Sequence, residues 1–321
     1  MSTMKIVSAM GTAATSETFP AYLPTGEIVR HVGKYVSGQY RVTAVRESGD
    51  DISRIDVTLA DYTGSALGFI WPERLAMNAV PRVGTFVETT GTAQVYNGRG
   101  QLRIRTIREL SPGEVIFVSN LICIEGRRPF HGRLMELEQS LPPTLRSFLA
   151  RILLDPTIGP KFLSCRGSGD HHHSEVGGLA RHSLSNLDLI GTLVERTLPD
   201  DELSVAIARI GYLLHDLGKI WTVGATSRPP LYWVVPHESA TLIILAPHLA
   251  WLRNECEKTW AGLMSILVHV ATPASARKRP KYFPAEVVVQ MDQWSAATHH
   301  RNDLDALLTP PRAQAKKRWA S

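Results

Sequence analysis

From Gly38 the chain alternates apolar and polar positions. Tyr40 to Val45, Ile55 to Leu59 and Ala66 to Trp71 each read as a strand whose every second side chain faces inward. Asp61 to Gly64 supplies turn residues between the second and third, and Glu73 to Met77 reads as a short helical piece. Thr85 to Val95 and Gln101 to Ile107 continue the alternation. Between them stands Tyr96-Asn97-Gly98-Arg99-Gly100, where Asn-Gly predicts a tight hairpin turn. After Ser111-Pro112-Gly113-Glu114, a linker by composition, the apolar period lengthens to three and four. Helices are predicted over Leu134 to Glu138, Thr144 to Leu154, Gly178 to Thr197, Asp201 to Leu214, His237 to Lys258, Ala261 to Ala271 and Ala285 to Ala297. Pro142-Pro143 and Pro199 suit helix starts.

Five short strands with a helix between the third and fourth are the order of an OB-fold barrel, and the segment resembles OB-type nucleic-acid-binding domains. The expected class is α+β: an N-terminal five-stranded OB-like barrel followed by an all-α helical domain. The expected divisions are a partly disordered leader over 1–34, the barrel over 35–112, the helical domain over 113–300 and a basic exposed tail over 301–321. With 44% hydrophobic and 20% charged residues, the chain has material for two cores. A net charge of +5 is compatible with a polyanionic partner. The three cysteines, Cys123, Cys165 and Cys256, form no CxxC pair, which argues against a disulfide framework or zinc ribbon and fits a reducing cytosol. The N-terminus has no apolar core of signal-peptide length, and Thr241 to Leu252 is interrupted by Pro247 and His248. A cytoplasmic protein with no membrane partner is expected.

Ten of the twelve histidines lie from position 171 onward. The central motif is His215-Asp216-Leu217-Gly218-Lys219, at the end of an apolar helix. An adjacent imidazole and carboxylate at a helix end can turn toward one cation, a donor pair suited to Mn, Fe, Zn or Mg. Gly218 is read as allowing a sharp change of chain direction, and Lys219 as a cation for a phosphate. Upstream runs His171-His172-His173-Ser174-Glu175-Val176-Gly177-Gly178-Leu179-Ala180-Arg181-His182. Downstream come His237, His269 and Asp292, each in or opening a predicted helix, so that separate helices can aim into one bundle core.

On His182, His215, Asp216 and Asp292 the pattern resembles the HD superfamily of metal-dependent phosphohydrolases. His172 to His182 together with His215 to Lys219 resembles, more narrowly, the YhaM-type 3′-5′ exoribonucleases, which place an OB-fold before an HD domain. The triple-His run before Gly-Gly-Leu is also similar to the MobH/TraI-type relaxases of mobile elements. The resemblance implies an HD-type helical domain, one or two divalent ions (Mn, Mg, Co, Fe or Zn) and single-stranded RNA or DNA as partner. It implies His182, His215, Asp216 and Asp292 as metal ligands, assisted by His237 and His269. Lys219, His172, His173 and Asp216 carry the expected catalytic roles. HD enzymes with two ions often have a His-His pair where this chain has His269-Val270, and Val270 cannot bind metal. The expected function is a metal-dependent nuclease, a 3′-5′ exonuclease. The alternatives are a relaxase-like DNA-processing protein, a nucleotide phosphohydrolase and a non-catalytic single-strand-binding protein.

In the barrel, stacking and phosphate contacts would fall to Tyr40, Phe69, Trp71, Tyr96, Arg99, Arg103 and Arg105. Against that stands strand alternation, which sends half of such aromatics inward as core. Arg103 and Arg105 share one face and are expected to be exposed. His248 is read as structural.

Overall fold

The computed structural model describes residues 23–48, 54–72, 80–115, 118, 129–169, 173–223 and 229–298. The chain divides into two compact units, Met1–Glu109 and Leu110–Ser321. The helical piece expected at 73–77, the leader up to residue 22 and the basic tail lie outside the described residues.

The first unit is a closed barrel of β1 (Tyr35–Ser48), β2 (Arg54–Asp61), β3 (Gly64–Ile70), β4 (Phe86–Tyr96) and β5 (Arg99–Leu110). Its strand order is β1-β2-β3-β5-β4, closed back on β1, which is OB-like. Strand β1 serves two neighbours, pairing with β2 and with β4, both antiparallel, while β3 meets β5 in parallel. A bulge between Val42 and Ala44 shifts the β1–β2 register by one residue, the usual device for bending a long strand round a small barrel. The Asn97-Gly98 turn has positive φ at both residues, 48° and 74°, as a type I′ hairpin requires. Alternation fills the interior with Val42, Val57, Leu59, Ile70, Val87, Leu102 and Ile104.

Tyr40 belongs to that core as well. It is 0% exposed, and its hydroxyl donates to the Leu23 carbonyl at 2.7 Å, so the ring is closed to a nucleobase. The expectation that it stacks on substrate is corrected on that ground. Residues 25–31, read from sequence within the leader, form a 3-10 helix whose Ile28 is fully buried in the barrel. The buried Asp61 carboxylate fixes the start of this helix, accepting from Thr25 N at 2.6 Å and from the Thr25 hydroxyl at 2.8 Å.

The second unit is helical: α1 (Pro129–Ser140), α2 (Pro143–Leu153), α3 (Gly159–Ser164), α4 (Gly178–Ser185), α5 (Leu187–Thr197), α6 (Glu202–Leu214), α7 (Lys219–Thr222), α8 (Leu231–Val234), α9 (His237–Glu255), α10 (Glu257–Ala271) and α11 (Phe283–Thr298). Helix α6 is the axis. Residues Ala206 to Ala208 and Ile210 to Leu214 are all buried, because α5, α10 and α11 pack round it. Gly211 lets α10 close in, since a Cβ there would stand 2.8 Å from Ile266. The helix expected from Gly178 to Thr197 is broken at Asn186 into α4 and α5. The Asn186 side chain turns inward to donate to the Tyr212 hydroxyl at 2.9 Å. No described helix is long and apolar enough to cross a membrane.

Candidate metal centre

Three helix segments meet at the C-terminal end of α6. Helix α4 brings His182, the turn after α6 brings His215 and Asp216, and α11 brings Asp292. One ligand atom from each lies within 4.8 Å of all the others. The His215 Nε2 atom is 3.2 Å from Asp292 Oδ1 and 3.5 Å from Asp216 Oδ2; His182 Nε2 is 3.3 Å and 3.6 Å from the same two oxygens. The two Nε2 atoms are 3.4 Å apart. Donors held about 2.1 Å from a common ion stand about 3.0–3.4 Å apart at right-angle or tetrahedral geometry, so this set fits one divalent cation.

Burial and tautomer point the same way. His182, His215 and Asp216 are buried, while Asp292 is half-buried. The Nδ1–H of His215 donates to the Tyr212 carbonyl at 2.6 Å, which leaves the Nε2 lone pair facing the cluster. The Tyr212 ring stacks on the His215 imidazole, with centroids 4.9 Å apart. His182 has a looser support, with Nδ1 3.4 Å from the Ser295 hydroxyl. Burial raises the Asp216 carboxyl, but His215, His237 and Lys219 overcome it and hold the group well below the usual carboxylate range. Asp292 is lowered likewise, against burial, by its bonds to His182 and His215. Burial pulls His215 down, yet the two carboxylates and the Tyr212 carbonyl outweigh it and push the imidazole up to about 9. The two ionised carboxylates thus favour a positive charge at the His215 Nε2 position, which a proton supplies in the absence of a metal ion and which a divalent cation would replace.

The turn itself is held by backbone packing. Gly218 has φ of −56°, an ordinary helical value, so its role is not the change of direction expected from sequence. A Cβ at Gly218 would meet the His237 carbonyl at 1.9 Å: the glycine lets α9 pass against the turn. The Thr241 hydroxyl accepts from Gly218 N at 2.8 Å and donates to the His215 carbonyl at 3.0 Å.

The remaining expected residues divide. Lys219 Nζ bonds Asp216 Oδ2 at 2.6 Å, and His237 Nε2 approaches Asp216 Oδ1 at 3.1 Å, so both border the cluster through Asp216. His173, with φ of 61°, sets its ring 5.6 Å from that of His182. His172 lies outside the described residues. His269 is not in the cluster; its Nε2 faces Glu286 at 3.4 Å. The ligand role given to it is corrected accordingly, since α10 aims it at the start of α11 instead. Sequence reading missed Tyr212 and Ser295, although Tyr212 precedes His215 by three residues, one helical turn.

In the barrel, Phe69 and Trp71 are half-buried, with ring centroids 6.3 Å apart. The Arg54 guanidinium lies over Phe69 at 4.9 Å and that of Arg103 over Trp71 at 5.4 Å. Tyr96 is 66% exposed and Arg99 is exposed; with Leu67 and Gln101 they line a groove of about 630 Å³. Arg105 is exposed.

No family model matches the chain. Over 168 residues it is 26% identical to the 3′-5′ exoribonuclease YhaM of Bacillus pumilus and 27% identical to that of a Geobacillus species. The chain resembles YhaM exoribonucleases. The YhaM of Bacillus subtilis is 24% identical over 196 residues, 60% of each chain. The first two matches cover 52% of this chain and 52% and 51% of the relatives, so the chain spans about half the length of the curated YhaM proteins it matches. Among solved structures, asparaginyl-tRNA synthetase of Pyrococcus horikoshii matches 79% of this chain and 62% of its own at 11% identity and a TM-score of 0.25. The OB-like character of the barrel rests on its own strand order.

Proposed function

We propose that the chain is a metal-dependent phosphodiesterase that shortens single-stranded nucleic acid from the 3′ end. The observation that carries this reading is the convergence of His182, His215, Asp216 and Asp292 within one ion's reach. Similarity to proteins named 3′-5′ exoribonuclease supports the substrate class, and the OB-like barrel supports a single strand as partner.

The four donors would hold one divalent ion. Such an ion polarises a phosphoryl oxygen and eases deprotonation of water at neutral pH. Lys219, carried at the edge of the cluster by the turn, keeps Asp216 ionised and offsets charge on the phosphodiester. His237 bonds the other Asp216 oxygen and fixes the carboxylate's rotation. His173 stands beside His182 and would hand a proton to the leaving oxygen. The exposed Tyr96 and Arg99 and the Phe69–Trp71 pair would hold the strand by stacking and phosphate contacts.

The test is a panel of end-labelled single-stranded RNA and DNA incubated with Mn, Mg or chelator. A ladder of products shortening from the 3′ end, present with metal and lost in Asp216→Asn, is expected. A single nick in supercoiled DNA, release of products from free nucleotides alone, or undiminished cleavage by Asp216→Asn would overturn the reading.

A further inference from the structure

The loop between α10 and α11 carries Arg277-Lys278-Arg279-Pro280-Lys281, a basic run that neither the metal cluster nor the barrel uses. These five residues line a cleft of about 690 Å³ with Ala274, Phe283, Glu286 and Gln293, a size within the range of ligand sites. Gln293 follows Asp292 in the chain, so the cleft and the metal cluster are both built on α11.

Three features of the cleft suit an anion. Lys278, Arg279 and Lys281 are exposed and enter no ion pair among the described residues, so their charge is available to a ligand. Arg277 is committed to structure instead: its guanidinium donates to the Val270 carbonyl at 3.2 Å and the Thr272 carbonyl at 2.9 Å. That ties the loop to the C-terminal end of α10 and presents the three cations from a fixed base. Glu286, the one carboxylate among the lining residues, is turned toward His269 at 3.4 Å and accepts from the Gln290 amide at 3.0 Å. Its charge is therefore partly answered within the protein.

We propose that this cleft binds the sugar-phosphate backbone of the substrate strand, with Lys278, Arg279 and Lys281 each facing a phosphate. The proposal rests on the nuclease reading, because it assigns the cleft to the strand whose end occupies the metal cluster. The contacts are to phosphate, so they serve any base sequence. Each phosphate neutralised on a single strand contributes about 0.7 to the slope of log affinity against log salt.

The test compares three versions of the whole chain: the wild type, the triple variant Lys278→Glu, Arg279→Glu, Lys281→Glu, and a control with Arg196→Glu and Lys258→Glu. The control residues are exposed; Arg196 lies on α5 and Lys258 at the opposite end of α10. Thermal melting and bound Mn, counted by elemental analysis, check that all three fold alike. Kinetics are measured on a 12-nucleotide RNA over a range of salt. The triple variant is expected to raise KM at least tenfold with kcat held within threefold, and to flatten the salt slope by about 2. The control is expected to keep the wild-type KM and slope. A folded triple variant with wild-type KM and slope overturns this proposal while leaving the nuclease reading intact. A wild type that cleaves nothing fails the nuclease reading itself, and this proposal falls with it.

Discussion

Asp216 concentrates the interactions of the site in one side chain. Its two oxygens face His182, His215, His237 and Lys219, all within 3.6 Å, and burial removes water as an alternative partner. Replacing one member of such a set leaves the others buried without an opposite charge, which is why single changes here cost more than a surface ion pair. A milder change isolates the support of a ligand. Ser295→Ala removes the hydroxyl beside His182 Nδ1 and should weaken Mn affinity about tenfold, as loss of an outer partner of a metal histidine does. Isothermal titration with Mn measures it, and an unchanged Kd would remove Ser295 from the site. In the barrel, Tyr40→Phe deletes the bond to the Leu23 carbonyl and should cost about 1 kcal/mol in urea unfolding, with RNA affinity unchanged. A drop in RNA affinity in the folded variant would return Tyr40 to the binding face.

At the scale of elements, the turn after α6 and the start of α9 are interlocked through Gly218. Gly218→Ala forces a methyl against the His237 carbonyl, and overpacking of this kind costs about 1–3 kcal/mol. The variant should melt lower and bind Mn more weakly, because His237 and the His215–Asp216 turn must move apart. A wild-type melting temperature would show that the close approach is not needed. The motif around Gly218 was legible in sequence, but the reason for the glycine was not: backbone approach from another helix leaves no local mark. Strands were legible because a half-buried strand writes its two faces alternately, and Asn97-Gly98 marked its own turn. The Thr25–His31 helix was not, since the few apolar residues in and just after it, Ile28, Val29 and Val32, show no run of helical period, and Leu23 and Ile28 gain their burial only against the finished barrel. Nor was the turn of His269 toward Glu286, which depends on how α10 meets α11. Tyr40 was misplaced although alternation already sets it on the face of Val42: both are buried, and its hydroxyl is satisfied inside by the Leu23 carbonyl, a partner distant in sequence.

The whole molecule joins a closed barrel and a helical unit in one chain, so on the proposed reading a strand held by the first would be kept at high local concentration for the second. If Arg99 and Arg103 each meet a phosphate, Arg99→Ala with Arg103→Ala should reduce the salt slope of RNA binding by about 1.4. Fluorescence anisotropy from 50 to 300 mM salt would read it, and a parallel line would assign those residues to solvent. On the proposed reading, both faces would serve a reaction that depends on His182, His215, Asp216 and Asp292 sharing an ion. The most direct test is Mn titration of the metal-stripped full chain, followed by electron paramagnetic resonance, for the wild type and for His215→Ala. One tightly bound Mn per chain in the wild type, released to the aqueous signal in the folded variant, is the expected result. A wild type that leaves all Mn in solution, or a variant that holds it equally well, would contradict the account.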